Sequence, residues 1–372
     1  MKEEPMEIPP NTPLHPDPPM LLTVKGSHLQ MGQQIGEGAS LQVKHSIENA
    51  RVLLEAAYPK LNLTWDRARI QASKYMPFAR EFYPNYVEEL KGIAEGANVP
   101  FDDLSILNAM EAVTSDALHL DRCTSMAVNG DRTANGHVLA AHNEDWIPAD
   151  EPDVYLVHAI PDKEPPYLAM NYGGLLCNIG FNAYGIAQMC DSVYPTDSRI
   201  GVPRTFVSRA VLSAKSPGEA IAHMLSPRRA AGYNHVLVHE CGELYSVEVS
   251  ARRFAIKYGE DGYIAHTNNY LSENMKAVED DPEDLVNSRV RYFRTLGQVK
   301  RNSRHTIETL QAIQKDHVNY PDSICNHSIV ERPPLDDGKT INALVINLTT
   351  REIHVAWGNP CVNPYHTFQL GE

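Results

Sequence analysis

The hydrophobic period of this chain changes once, at Cys123, and that change limits what the chain can fold into. Between residues 21 and 120, apolar side chains recur every three or four positions. Val43, Ile47, Ala50, Leu54 and Ala57 form one stripe, Tyr86, Leu90, Ile93, Ala94 and Ala97 a second, and Leu104, Leu107 and Met110 a shorter third. This spacing predicts helices with one buried face. From Cys123 onward the segments "TSMAV", "HVLAAHN", "DVYLVHAI", "YLAMNY", "LLCNIGFN" and "GIAQMC" are short and apolar or alternating, with Gly, Asn, Pro or Asp between them. They predict strands joined by hairpins. Ser216, Pro217 and Glu219 then carry the N-cap, first-turn and capping-box pattern of a helix start. A further hairpin is predicted through Cys241-Gly242, helices at "PEDLVNSRVRYFRTLG" and "TIETLQAIQ", and a closing hairpin in "NALVINLTTREIHVAWG". Two groups of strands interrupted by helices predict two antiparallel sheets with helices outside, a layered α+β domain.

Composition narrows the functions more than it names one. A formal net charge of -14 over 372 residues argues against a nucleic-acid partner, whose phosphates need basic side chains. No apolar run approaches the roughly 18 residues that would span a membrane. The first 20 residues are rich in proline and glutamate and lack a basic-then-apolar signal pattern. They read as a disordered leader on a cytoplasmic protein. The six cysteines are scattered without a Cys-x-x-Cys pair, so neither a zinc knuckle nor a disulfide framework is indicated. Cys177, Cys190, Cys241, Cys325 and Cys361 read as packed free thiols. His235 and His239 are four apart in a β-rich segment, where that spacing separates them by about 13 Å. No metal and no cofactor are expected.

Cys123 is different, because it stands where the helical part ends and the sheets begin. A thiol at such a boundary can attack the carbonyl before it, and hydrolysis of the resulting thioester frees a new amino terminus. The α-amine, with an ordinary pKa of about 7.7–8.0, then serves as base for its own thiol. Such a site needs donors for a tetrahedral oxyanion and a polar group to orient the amine.

The residues from Leu21 to Trp357 resemble the penicillin acyltransferase family of N-terminal-nucleophile hydrolases, peptidase family C45. The resemblance rests on five elements in order: "RCTSMAVNGDRTANGHVLAAHNEDW", "NIGFNAYGIA", "LYSVEVSA", "HTNNYL" and "NYPDSICN". It implies a four-layer αββα fold with an N-terminal helical part, divided as leader 1–20, helical part 21–122 and two-sheet catalytic part 123–372. It also implies self-cleavage between Arg122 and Cys123, the two chains remaining associated. Cys123 would be nucleophile and amine base, Asp145 would orient the amine, and Asn268 would stabilise the oxyanion. Tyr172, Asn182, Tyr184 and Ser250 are weaker candidates for substrate contact. Arg122 and Asn326 stand where the family's penicillin branch has glycine and arginine, and "HNEDW" is closer to its amine-hydrolase branch. The expected reaction is hydrolysis of a small N-acyl amine or N-acyl amino-acid-type amide through an acyl-enzyme. The alternatives are acyl transfer from a thioester or amide to an amine, and an uncut binding protein of the same fold. A homo-oligomer is left open.

Overall fold

The computed structural model describes residues 12–110, 122–280 and 285–371. Asp121, before the expected cleavage site, and residues 1–11 of the leader lie outside the described residues. The helices are α1 (His28–Gly38), α2 (Ser40–Leu61), α3 (Trp65–Ser73), α4 (Met76–Phe82), α5 (Pro84–Ala97), α6 (Phe101–Leu107), α7 (Arg204–Val211), α8 (Pro217–Met224), α9 (Glu273–Lys276), α10 (Val286–Arg301) and α11 (Ile307–Gln314). One sheet has eight strands in the order β1 (Met20–Gly26), β4 (Val154–Pro161), β5 (Tyr167–Tyr172), β6 (Ile179–Asn182), β7 (Ile186–Asp191), β8 (Tyr233–His239), β9 (Leu244–Val249) and β10 (Phe254–Tyr258). The other has six, in the order β11 (Tyr263–His266), β2 (Thr124–Val128), β3 (Leu139–Trp146), β12 (Lys339–Asn347), β13 (Glu352–Trp357) and β14 (Tyr365–Gln369).

The apolar clusters define four layers. Ala127, Ala140, Leu168, Phe181, Val236 and Leu344 pack between the two sheets. Tyr155, Val157 and Ala169 on the outer face of the larger sheet pack against Met31, Val43 and Leu90 of α1, α2 and α5. Met126, Leu139 and Val345 on the outer face of the smaller sheet meet Val299 of α10 and Leu310 and Ile313 of α11. The arrangement is the αββα sandwich that the sequence implied. Among the described residues no helix is long and apolar enough to cross a membrane.

Two local expectations are revised. The N-terminal part is not only helical, because β1 begins at Met20 and pairs in parallel with β4, Met20 opposite Tyr155. An edge strand buries little, and Val24 is the one fully buried residue in β1, so its periodicity was too weak to separate it from the helix that follows. At α8, Ser216 caps the Glu219 amide as expected, but the Glu219 carboxylate takes the Lys215 amide instead of closing a box. Of the leader residues that are described, His15 stacks on Trp357 at 4.1 Å and meets Glu151 at 2.9 Å.

One contact holds the helical part together, and a second ties it to the two-sheet part. Helices α1 and α5 run with backbones in contact, so that a Cβ on Gly32 would fall 2.0 Å from the Glu89 carbonyl oxygen and one on Gly92 2.2 Å from that of Leu29. Behind this contact, buried Arg209 of α7 donates two hydrogen bonds to Glu89, at 3.0 and 2.9 Å. Its guanidinium lies between the rings of Tyr86 and Tyr167. His28 donates toward the same Glu89 carboxylate at 2.8 Å and reaches Glu164 at 3.3 Å. Burial works against the His28 charge, but Glu164 and Glu89 outweigh it and raise its pKa to about 9. Burial also opposes the Glu89 charge, yet Arg209 and His28 hold its carboxyl below the usual range.

Arg209→Met should cost about 3–5 kcal/mol of unfolding free energy, since it leaves the Glu89 charge buried without its main partner. His28 contributes stability that is complete below its unfolded pKa of about 6.5 and is lost as pH rises through about 9. Denaturant titrations across pH 6–10 should therefore show an alkaline loss that His28→Gln reduces. An equal alkaline loss in both proteins would contradict this.

Candidate active site

The site is assembled by the register of β2. In the β2–β3 pairing Thr124 faces Asn143 and Ser125 faces His142, so the next row sets Cys123 across from Glu144 and Arg122 across from Asp145. The Arg122 amide accordingly donates to the Asp145 carbonyl at 3.3 Å. On the other side Ser125 faces His266, and two rows further along the chain brings Asn268 beside Cys123. Strand alternation sends Cys123, Ser125 and Ala127 toward the larger sheet and Thr124, Met126 and Val128 toward the helices, as the two apolar clusters confirm.

Cys123 is buried, 3% exposed, with its Sγ 3.7 Å from Glu144 Oε2. Glu144 also accepts from His142 Nε2 at 2.8 Å and from the Tyr172 hydroxyl at 3.1 Å. From His142 a buried polar chain runs between the sheets. His142 Nδ1 meets Ser125 Oγ at 2.9 Å, Ser125 donates to Asp191 at 2.7 Å, and His266 lies between Asp191 and Glu248 at 3.3 and 3.2 Å. Burial disfavours the His266 charge, but Asp191 and Glu248 raise its pKa to about 9. The chain links "HNEDW", "LYSVEVSA" and "HTNNYL" physically, and it satisfies polar groups that would otherwise be costly at a sheet–sheet interface.

On the helical side, buried Arg291 of α10 donates to the Cys123 carbonyl at 2.5 Å, to Thr124 Oγ1 at 2.9 Å and to Asn268 Oδ1 at 2.9 Å. This orients the Asn268 carboxamide, which donates one N–H to the Ser192 carbonyl at 3.0 Å. A carboxamide has two N–H donors, so one remains for a reacting group. Asp145 accepts from Thr340 Oγ1 at 2.6 Å through Oδ1, while its buried Oδ2 has no hydrogen-bond partner among the described residues. Burial pushes the Asp145 carboxyl up to about 7, with Arg291 and Thr340 pulling the other way. Arg122 is clamped through its side chain, donating to Asp322 and to the Asp336 carbonyl, each at 2.9 Å.

A cavity opens beside Cys123. Leu53 of α2, Leu107 of α6, Met110 and Ile147 contribute apolar lining, and Glu144, Tyr172, Asn178, Arg204 and Tyr233 polar lining. Arg204 stacks on the Tyr233 ring at 4.7 Å. Of the weaker sequence candidates, Tyr172 lines this cavity and the other three stand outside its lining. Asn182 is spent on the carbonyls of Leu212 and Ala214, Tyr184 is exposed at the β6–β7 turn, and Ser250 donates to Asp197 in a turn after β9. Sequence reasoning missed Glu144 and Arg291. Glu144 could have been found by carrying the Cys123 row across the hairpin, whereas Arg291 lies in a helix without any local signal.

The raised Asp145 pKa makes a linkage prediction for the Cys123→Ala variant. Between the unfolded pKa of about 3.9 and the folded value of about 7, the native state binds more protons than the unfolded state, so this residue's contribution to stability falls as pH rises. Adding Asp145→Asn should remove that fall from the thermal midpoints measured over pH 4–7. Parallel profiles for the two proteins would show that Asp145 does not titrate in this range.

Comparison with known proteins places the chain. The family profile described as acyl-coenzyme A:6-aminopenicillanic acid acyl-transferase matches residues 132–361, more than half of the chain. The 40 kDa form of acyl-coenzyme A:6-aminopenicillanic-acid-acyltransferase from Emericella nidulans is 25% identical over 353 residues, 94% of this chain and 95% of that protein. The β-alanyl-dopamine/carcinine hydrolase of Drosophila melanogaster is 25% identical over 222 residues, 54% of this chain and 56% of that one. Among solved structures, penicillin V acylase from Agrobacterium tumefaciens aligns with a TM-score of 0.45 at 14% identity, covering 63% of this chain and 83% of that one. The N-acylethanolamine-hydrolyzing acid amidase orthologue of Caenorhabditis elegans aligns at 0.43 and 11%, covering 61% and 93%. The chain belongs to the acyl-coenzyme A:6-aminopenicillanic acid acyl-transferase family and is an enzyme of the amide hydrolase and acyltransferase class.

Proposed function

We propose that the protein is a self-processing amidohydrolase whose nucleophile is Cys123. The observation that carries this reading is the buried Cys123 thiol, which lines the cavity between Glu144 and the row of Asn268. In the uncut chain Glu144 accepts the thiol proton, and the sulfur attacks the Arg122 carbonyl carbon. As the tetrahedral intermediate collapses, the Arg122–Cys123 amide bond breaks and a thioester forms, and the leaving nitrogen takes the proton back from Glu144 to become the Cys123 α-amine. Water then hydrolyses the thioester, leaving the Arg122 carboxylate and a free Cys123 thiol. The clamp on Arg122 supports this step by holding the reacting peptide bond still.

In the cut enzyme the α-amine takes the thiol proton, and the thiolate adds to a substrate amide. The free Asn268 N–H donates to the oxyanion, and the amine half of the substrate departs with the proton. Water releases the acid from the thioester on Cys123. The partnerless Asp145 Oδ2 is the acceptor that would hold the α-amine in place. The apolar lining from α2 and α6 suits an apolar half of an N-acyl amine, and Arg204 in the same lining suits a carboxylate of an N-acyl amino acid. The family profile and the Emericella relative, both named for acyl transfer, favour transfer to an amine as the second reading.

Mass spectrometry of the purified chain should find Cys123 as a new N-terminus, with Cys123→Ala remaining at the full 41.5 kDa. A cut Cys123→Ala protein would overturn self-processing. Incubation of the cut enzyme with a panel of N-acyl amines in buffer alone should release free acid. Product formation that requires an added amine acceptor would replace hydrolysis with transfer. Asn268→Ala, introduced so that the cut still occurs, should lower kcat by about 10²–10³.

A further inference from the structure

Away from Cys123, four side chains that look unrelated in sequence converge. His317, Cys325, His327 and Cys361 each offer a ligand atom, and all four atoms lie within 4.8 Å of one another. His327 Nε2 is 3.5 Å from Cys325 Sγ, 3.6 Å from Cys361 Sγ and 3.0 Å from His317 Nε2. A tetrahedral ion with metal–sulfur bonds near 2.3 Å and metal–nitrogen bonds near 2.0–2.1 Å has ligand–ligand edges of about 3.3–3.8 Å. The two nitrogen–sulfur spacings fall in this range, the nitrogen–nitrogen spacing lies slightly below it, and the four atoms are close enough to share one ion.

The surroundings favour an ion over a chance cluster of thiols and imidazoles. Cys325 and His327 are buried, at 0% and 2% exposure, and the Asn359 amide donates to Cys325 Sγ at 3.6 Å, the contact expected for a sulfur acting as acceptor. Two thiolates and two neutral imidazoles around a divalent ion make a centre of zero net charge, which can be buried without a counter-ion. The residues also join two segments that regular structure does not hold. One runs from Lys315 to Gly338 without helix or strand, and the other is the turn between β13 and β14. A loop of that length needs an anchor of its own. Its scattered ligand spacing, His-x₇-Cys-x-His with the last cysteine far downstream, explains why no metal motif was visible in the sequence.

We propose that His317, Cys325, His327 and Cys361 form a structural site for one divalent ion, with Zn²⁺ the best match to a Cys₂His₂ donor set. On binding, the two thiol protons leave to solvent. The loop so pinned reaches the nucleophile region at three points. Asp322 holds Arg122. Ile324 offers its carbonyl to Asn143 at 2.8 Å. Asn326, between two of the ligands, exchanges hydrogen bonds with Thr340, each 3.0 Å long, and Thr340 in turn donates to Asp145.

The test uses the full chain and does not depend on its activity. Protein from zinc-supplemented cells, purified under reducing conditions without chelator, should carry one equivalent of zinc by elemental mass spectrometry. Cys325→Ser and His327→Ala should lose it, and Cys241→Ser, a change at an exposed hairpin cysteine, should keep it. Exchange of the wild-type protein into Co²⁺ should give the visible bands of tetrahedral cobalt with a sulfur-to-metal charge-transfer band, a readout that needs no variant. Chelation should lower the thermal midpoint of the wild type and leave that of Cys325→Ser unchanged. A wild-type protein that takes up neither zinc nor cobalt, or one in which Cys325 and Cys361 are joined as a disulfide, would overturn the proposal.

Discussion

Strand β2 is paired on both sides, and its register decides which side chains surround Cys123. A slip of one residue against β3 would turn the thiol toward α10 and α11 and replace Glu144 with a residue of the opposite face. Several independent contacts oppose such a slip. Met126 and Val128 fill the helix-side core, Ser125 is tied to Asp191 in the other sheet, and Arg291 grips the Cys123 carbonyl and Thr124 together. The apolar pair would lose its packing. For Ser125 and Arg291, a shifted strand would leave a buried charge or hydroxyl without its partner, at about 1–3 kcal/mol for each neutral group and more for a charged one.

The division into a helical part and a two-sheet part is therefore a division of sequence more than of structure. The helical part supplies an edge strand to the larger sheet, half of the buried charge cluster around Arg209, and apolar wall for the cavity at Cys123. The shape of the cavity and cohesion between the two parts are thus written into the same helices. A substitution in α2 or α6 that widens the cavity also removes packing that joins the parts.

The grouping of the candidate residues was legible where it follows strand arithmetic. Cys123, Asp145 and Asn268 were expected from short motifs, and the register brings Cys123 and Asn268 into one row, with Asp145 one row away on the opposite face. The hairpins were legible because glycine and asparagine turns punctuate alternating segments. What stayed hidden depends on distance along the chain. Arg291 acts through a guanidinium that reaches from a helix into the sheet, and nothing in "VNSRVRYF" marks one arginine as buried. The edge strand β1 buries too little for its period to stand out. The Cys₂His₂ cluster gathers residues from an irregular loop and a distant turn, and no local pattern encodes their meeting. Asn182 and Ser250 lie outside the cavity lining, their side chains bonded to the carbonyls of Leu212 and Ala214 and to Asp197, as small polar residues beside glycines and turns often satisfy nearby groups.

The parallel pairing of β1 with β4 also has a meaning for how the molecule is made. During synthesis β1 emerges first, and Tyr155, the partner of Met20, follows only after the whole helical part. Helices α1 and α5 can pair while the strands are still growing, and their packing shortens the loop that must close before the edge strand finds its place. Until it does, β4 presents an unpaired edge, the kind of surface to which another nascent chain adds a strand of its own. The order of events on the ribosome, and not only the final energy, thus favours a chain whose glycine-lined helices meet early and carry β1 to the sheet.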